Sequence, residues 1–169
     1  MIATESSGDR YPDGGSCIVS QRQISCSTGF CEVKADYMKN NTVSTHLELL
    51  RLCIFGKDTI DNEDVENVVL LQAVGHRVIV YLYQQHDGGF YSAFEVDSIE
   101  VPKSILELPG FIMKLDDIKR LINLYELFCA TKKDRTDFFR RKIPSPNIYE
   151  MNIIINTRKP KKVKTSLEF

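Results

Sequence analysis

Apolar positions are spread unevenly along the chain, and their spacing predicts an antiparallel sheet followed by one long helix. Residues 1–45 are rich in Ser, Gly, Asp, Asn and Thr and show neither a period of two nor one of 3.6. That is the pattern of a poorly ordered arm. The string YPDGG at 11–15 marks a turn, and a short strand around Ile18 or at 30–33 is the most the pattern allows. From His46 the chain turns apolar through Leu47, Leu49, Leu50, Leu52, Ile54 and Phe55, which fits a buried strand or a short helix equally. Residues 56–64 read as a solvated acidic loop with Asp58, Asp61, Glu63 and Asp64; the turn glycine and closing glutamate of a calcium loop are missing.

The clearest signal follows. Residues 68–74 and 77–83 are rich in β-branched and aromatic side chains and flank a Gly75-His76 turn. Val78, Val80 and Leu82 alternate with Arg77, Ile79, Tyr81 and Tyr83. A second turn at His86-Asp87-Gly88-Gly89 leads into a third strand over 90–101, with Phe90, Phe94 and Val96 on one side and Tyr91, Ala93 and Glu95 on the other. These runs predict a meander with one buried face. After Pro102 and Pro109-Gly110, residues 111–113 read as a short fourth strand. Over 114–130, Leu115, Ile118, Ile122, Tyr125 and Cys129 recur at helical steps, widened by Leu121, Leu124 and Phe128. Asp116 and Asp117 in the first turn complement the helix dipole, and Lys132 and Lys133 follow its end. Pro144-Ser145-Pro146 stops any helix, and 147–156 reads as one more strand.

The expected class is therefore α+β: a four-stranded antiparallel curved sheet packed by one long helix. The expected layout is an arm at 1–45, a single domain at 46–156 and a basic tail at 157–169. Composition agrees with an ordinary globular chain, at 43% hydrophobic and 27% charged residues. The longest apolar runs are far short of the roughly 20 residues of a membrane span, and residues 1–15 lack the apolar core of a signal peptide. Five cysteines, an odd number, point to free thiols in a reducing compartment. Cys17, Cys26 and Cys31 lack the close pairing of a structural zinc site and have no histidine among them, so no metal or other cofactor is expected.

Charge changes the picture. The net charge of −1 hides 7 Lys and Arg against 15 Asp and Glu in residues 1–100, and 15 against 8 in residues 101–169. Residues 132–169 alone hold 11 against 4. Such asymmetry points to a polyanionic partner for the C-terminal end. The run RKPKKVK at 158–164, with Arg140, Arg141 and Lys142 upstream, resembles a nuclear import signal. Catalysis has no comparable signal. His76 and His86 fall in turns and His46 opens an element; no serine stands in a nucleophile elbow, and no glycine-rich phosphate loop precedes a helix. The chain reads as a non-enzyme.

Two stretches carry a resemblance. Residues 68–83, VVLLQAVGHRVIVYLY, look like a glycine-turn hairpin, and residues 110–118, GFIMKLDDI, look like a strand running into a helix. Over about 68–125 the chain resembles the single-strand-binding domain of the positive cofactor four family of transcriptional coactivators. The resemblance implies a sheet backed by a helix that pairs with its twin in a homodimer. It also implies that unpaired bases stack on aromatic side chains while cations track phosphates. Arg77 matches a basic turn residue; Tyr81, Tyr83 and Tyr91 match stacking platforms; Lys103 and Lys114 add charge. Residues 68–74 carry no basic side chain, Leu106-Glu107-Leu108-Pro109 replaces a basic segment, and about 92–105 is extra, all departures from the family.

The expected function is a nuclear, sequence-independent single-stranded nucleic-acid-binding accessory protein in transcription or replication. Arg77, Tyr81, Tyr83, Tyr91 and Lys114 contribute from the sheet and helix. Lys132, Lys133, Arg135, Arg140, Arg141, Lys142, Arg158, Lys159, Lys161, Lys162 and Lys164 contribute phosphate contacts. The rival expectation is a protein-interaction module dimerising through helix 114–130, with the tail serving only localisation. The two differ in where the apolar stripe ends up and in whether the sheet face is basic. Ser145-Pro146 beside the basic block is a candidate phosphorylation site.

Overall fold

A computed structural model describes residues 11–63, 65–129 and 144–145. It holds five strands in one sheet of order β1-β2-β3-β4-β5: β1 (Gly14–Ser20), β2 (Gln23–Lys34), β3 (Asn67–Val74), β4 (Arg77–Gln85) and β5 (Tyr91–Glu100). Helix α1 (Thr42–Asn62) connects β2 to β3, and α2 (Leu108–Ile112) and α3 (Leu115–Phe128) follow β5. The α+β class stands. The sheet is corrected on two counts: it has a fifth strand, and it is mixed, because β2 runs parallel to β3 while every other neighbour is antiparallel.

Each correction has a local cause. Residues 14–34 form a hairpin instead of a poorly ordered arm. Its turn, Gln21-Arg22, holds two non-glycine residues at φ 51° and 65°, so no glycine advertises it. Two irregularities, where the register skips Thr28 and Ser25 on β2, interrupt the period-two pattern. The acidic stretch at 56–62 continues α1, which is 21 residues long and capped by Asn41 Oδ1 accepting from the Ser44 N–H at 3.1 Å. The apolar trio at 111–113 is not a strand: Pro109 near the start of α2 supplies the fixed φ of a first helical turn. The meander from β3 to β5 and the helix α3 fall where the spacing predicts them. The strand expected at 147–156 lies outside the described residues.

The expectation of one buried face is also corrected. On β3, Val68 and Leu70 join one apolar cluster while Val69 and Leu71 join another, so the two lie on opposite faces of the pleat. The larger cluster sits under α1, where Leu52, Phe55 and Ile60 meet Phe30, Leu70, Tyr81 and Tyr83. Gly56 permits this approach, since a Cβ there would lie 2.8 Å from Tyr83 Cδ1. Buried charges also join α1 to the sheet. Arg51 is ion-paired with Glu32 of β2 and lies 2.7 Å from Glu48, which pairs with Lys34 at 3.1 Å. The smaller cluster lies under α3, where Leu121, Tyr125 and Cys129 cover Val69, Leu71, Val80 and Leu82. The Tyr125 hydroxyl is 2.6 Å from that of buried Thr28. Among the described residues, no helix is long and apolar enough to cross a membrane.

Candidate interaction surfaces

Of the side chains singled out for nucleic-acid binding, two are corrected outright. Tyr81 and Tyr83 face α1 and are only 8% and 5% exposed. Burial raises both phenols above their ordinary range, Tyr83 far above it. A ring closed in by a helix offers no face to a base. Tyr91 is half-buried: its ring stacks on Tyr83 at 5.8 Å, Lys57 Nζ lies 5.3 Å from its centroid, and its hydroxyl donates to Asp61. Its ring faces are thus already occupied by side chains of the same chain. Lys132, Lys133, Arg135, Arg140, Arg141, Lys142, Arg158, Lys159, Lys161, Lys162 and Lys164 lie outside the described residues.

Arg77, Lys103 and Lys114 do come together. They line two adjoining cavities of about 470 and 480 Å³ at the end of the sheet, with Lys103 and Glu100 common to both. The tight turn after β3 builds this end: Gly75 takes φ +60°, and a Cβ there would meet Asp36 Oδ1 at 2.5 Å. Val101 N–H donates to the His76 carbonyl at 2.7 Å and draws the end of β5 alongside. Lys39 and His76 also line the groove; their positions are set by folding of the arm and turn, and nothing in their sequence context marks them. The four cations Lys39, Arg77, Lys103 and Lys114 face three carboxylates, Asp36, Glu100 and Glu107. Lys39 is 3.4 Å from Asp36, and Glu107 accepts from the Lys103 N–H at 2.9 Å. The groove is mixed in charge.

The sheet offers no basic platform beyond it. Edge strand β5 carries Glu95, Asp97 and Glu100 and no cation. What the exposed side does present is apolar. None of the α3 side chains is fully buried, and Leu115, Ile122, Leu127 and Phe128 are exposed. Before α3, the 3-10 turn Ile105–Glu107 and α2 hold Ile105 at 81%, Leu106 at 87% and Met113, just past α2, at 84% exposure. Phe94 and Val96 of β5 are exposed as well.

The remaining reactive groups are quiet. None of the five cysteines is in a disulfide; burial pushes the Cys53 thiol up to about 11 and the Cys129 thiol to about 12, leaving both protonated near neutrality. His86 stacks on Phe90 at 4.5 Å and its Nε2 lies 2.6 Å from Ser92 Oγ, contacts that close the β4–β5 hairpin. Among the described residues, no group of three or more His, Cys, Asp and Glu side chains is placed to hold a metal ion. No family model, curated protein or solved structure matches the chain.

Proposed function

We propose that the protein is an interaction module that self-associates through α3 and the turn and short helix preceding it. One observation carries this reading: Ile105, Leu106, Met113, Leu115 and Ile122 are exposed together on consecutive elements. A contiguous apolar surface on a folded chain marks a contact site for another protein surface. A second copy fits it. Leu115 and Ile122 are seven residues apart, two turns along one line of the helix. Antiparallel pairing about a twofold axis would set Leu115 of each copy against Ile122 of the other. Charge does not oppose this, because Asp116 pairs with Lys119 at 3.1 Å and Asp117 pairs with Arg120 within the helix. Sedimentation velocity of the full chain over a concentration series tests the reading. Dimers that become monomers in Leu115→Glu and Ile122→Glu support it; a wild-type monomer at every concentration refutes it.

A second reading keeps nucleic acid as the partner. It is favoured by the gathering of Arg77, Lys103 and Lys114 at one groove and by the excess of basic residues over 132–169. In this reading the cations make phosphate contacts and the affinity falls with salt. Nuclear import through 158–164 belongs to it, and deletion of that run moves a fluorescent fusion out of the nucleus. Anisotropy of a labelled single-stranded oligonucleotide, at two salt concentrations, separates the readings. Salt-sensitive binding that weakens about tenfold in an Arg77→Ala, Lys103→Ala, Lys114→Ala variant supports the groove; unchanged binding moves the contact to the tail alone.

A further inference from the structure

We propose that β1 is a second contact between copies of this chain, pairing antiparallel with the β1 of another copy and joining two sheets into one. The strand lies at the outer end of the sheet and is paired on one side only, with β2. Gly15, Ser16, Cys17, Val19 and Ser20 are exposed, and Val19 keeps 61% of its surface in solvent. An outer strand in solvent presents a row of unpaired backbone N–H and C=O groups, a template for another strand. The usual deterrents are absent from it: Gly14–Ser20, GGSCIVS, holds no proline and no charged side chain. The other outer strand, β5, carries Glu95, Asp97 and Glu100. The irregularities of the β1–β2 ladder place their extra residues, Thr28 and Ser25, on β2, so β1 itself keeps an unbroken run.

Neither long helix stands in the way. Helix α1 lies over β2, β3 and β4, and α3 packs on Val69, Leu71, Val80 and Leu82 of β3 and β4, reaching β2 through Tyr125. A second copy suits the edge because the strand is its own complement. The antiparallel register that pairs all seven residues is centred on Cys17: Gly14 meets Ser20, Gly15 meets Val19, Ser16 meets Ile18, and Cys17 meets its twin about a twofold axis. No rung sets like charges together. Just past the two ends, this register brings Asp13 of one copy toward Arg22 of the other, so opposite charges flank the ladder. One strand pair is small beside the roughly 1,600 Å² of a standard stable interface. The contact is therefore weak, and it adds to pairing through α3 without replacing it.

The test treats the full chain with a short bis-maleimide at neutral pH, which captures weak contacts through the exposed Cys17 thiol, and locates the link by mass spectrometry. A Cys17–Cys17 link is expected, and Cys17→Ser removes it. Two paired variants then read the register. Gly15→Glu with Val19→Glu sets carboxylate against carboxylate on two rungs; Gly15→Glu with Val19→Lys sets opposite charges there. Both share the change at Gly15, so any effect of that change on folding cancels in the comparison. The second is expected to give about ten times the linked dimer of the first. Both leave α3 unchanged, so failure here is distinct from failure of pairing through α3. Two results would overturn the proposal: a wild-type chain that forms no Cys17–Cys17 link, or equal yields from the two variants.

Discussion

The two faces of the sheet are covered on different terms. Under α1, apolar side chains from helix and strands are sealed from solvent, and Leu52, Val68, Leu70 and Ile60 have no exposed surface at all. Ion pairs from Arg51 and Glu48 join the helix to β2. Under α3 the strand residues are as apolar, yet the helix buries none of its own side chains completely and leaves Leu115 and Ile122 in solvent. A similar sheet surface thus forms a finished core on one side and a half-covered layer on the other. Burial of apolar area stabilises a fold at roughly 25 cal/mol per Å², so most of the stability belongs to the α1 side. The side that contributes less is the one where α3 leaves apolar side chains exposed.

Matched truncations would sharpen this contrast most. Leu70→Ala empties a sealed site and is expected to cost about 3–5 kcal/mol in urea denaturation, whereas Leu82→Ala, on half-buried ground beneath α3, is expected to cost about 1–2 kcal/mol. Equal losses would break the comparison. Gly56→Ala comes next. Alanine favours a helix by about 1 kcal/mol over glycine, but its Cβ would lie 2.8 Å from the Tyr83 ring and 3.4 Å from Leu70 Cδ2. Overpacking costs about 1–3 kcal/mol, and the expected outcome is a net loss read as a lower urea midpoint.

The smallest effect tests the buried charges. Burial raises the Glu32 carboxyl above its ordinary range, against the pull of Arg51, a guanidinium that Glu48 shares. A carboxyl whose folded pKa is raised contributes stability below its unfolded value, near 4.3. That contribution is lost as the pH rises through the folded value. The stability of the wild type relative to Glu32→Gln is therefore expected to fall between mildly acidic and neutral pH. A difference that stays flat or grows would mean that the ion pair outweighs burial.

Legibility in the sequence followed the regularity of each element. Strands β3, β4 and β5 are rich in β-branched and aromatic residues and are joined by glycine turns, and α3 carries one apolar stripe; all four were readable. Helix α1 was not, because it is apolar at nearly every position from Leu49 to Phe55 and then acidic, and because Gly56 interrupts it. A helix packed on several strands loses the one-sided stripe that identifies it. The β1–β2 hairpin hid behind a glycine-free turn and two irregularities. For the surfaces, Arg77, Lys103 and Lys114 were singled out through the resemblance, and the fold places all three along adjoining cavities. The tyrosines of β4 were misassigned because a strand covered on both faces has no outward side, and alternation cannot reveal that.

Strand β5 governs how copies of this chain meet when they crowd together. It is an outer strand, and such a strand ordinarily invites backbone pairing with a neighbour. Here the edge bears Glu95, Asp97 and Glu100 with no compensating lysine or arginine on the same strand. Two such edges brought side by side would set carboxylate against carboxylate across the new ladder, an arrangement that opposes pairing. The acidic edge thus opposes the pairing of one β5 with another, the step by which two such edges would begin a shared ladder.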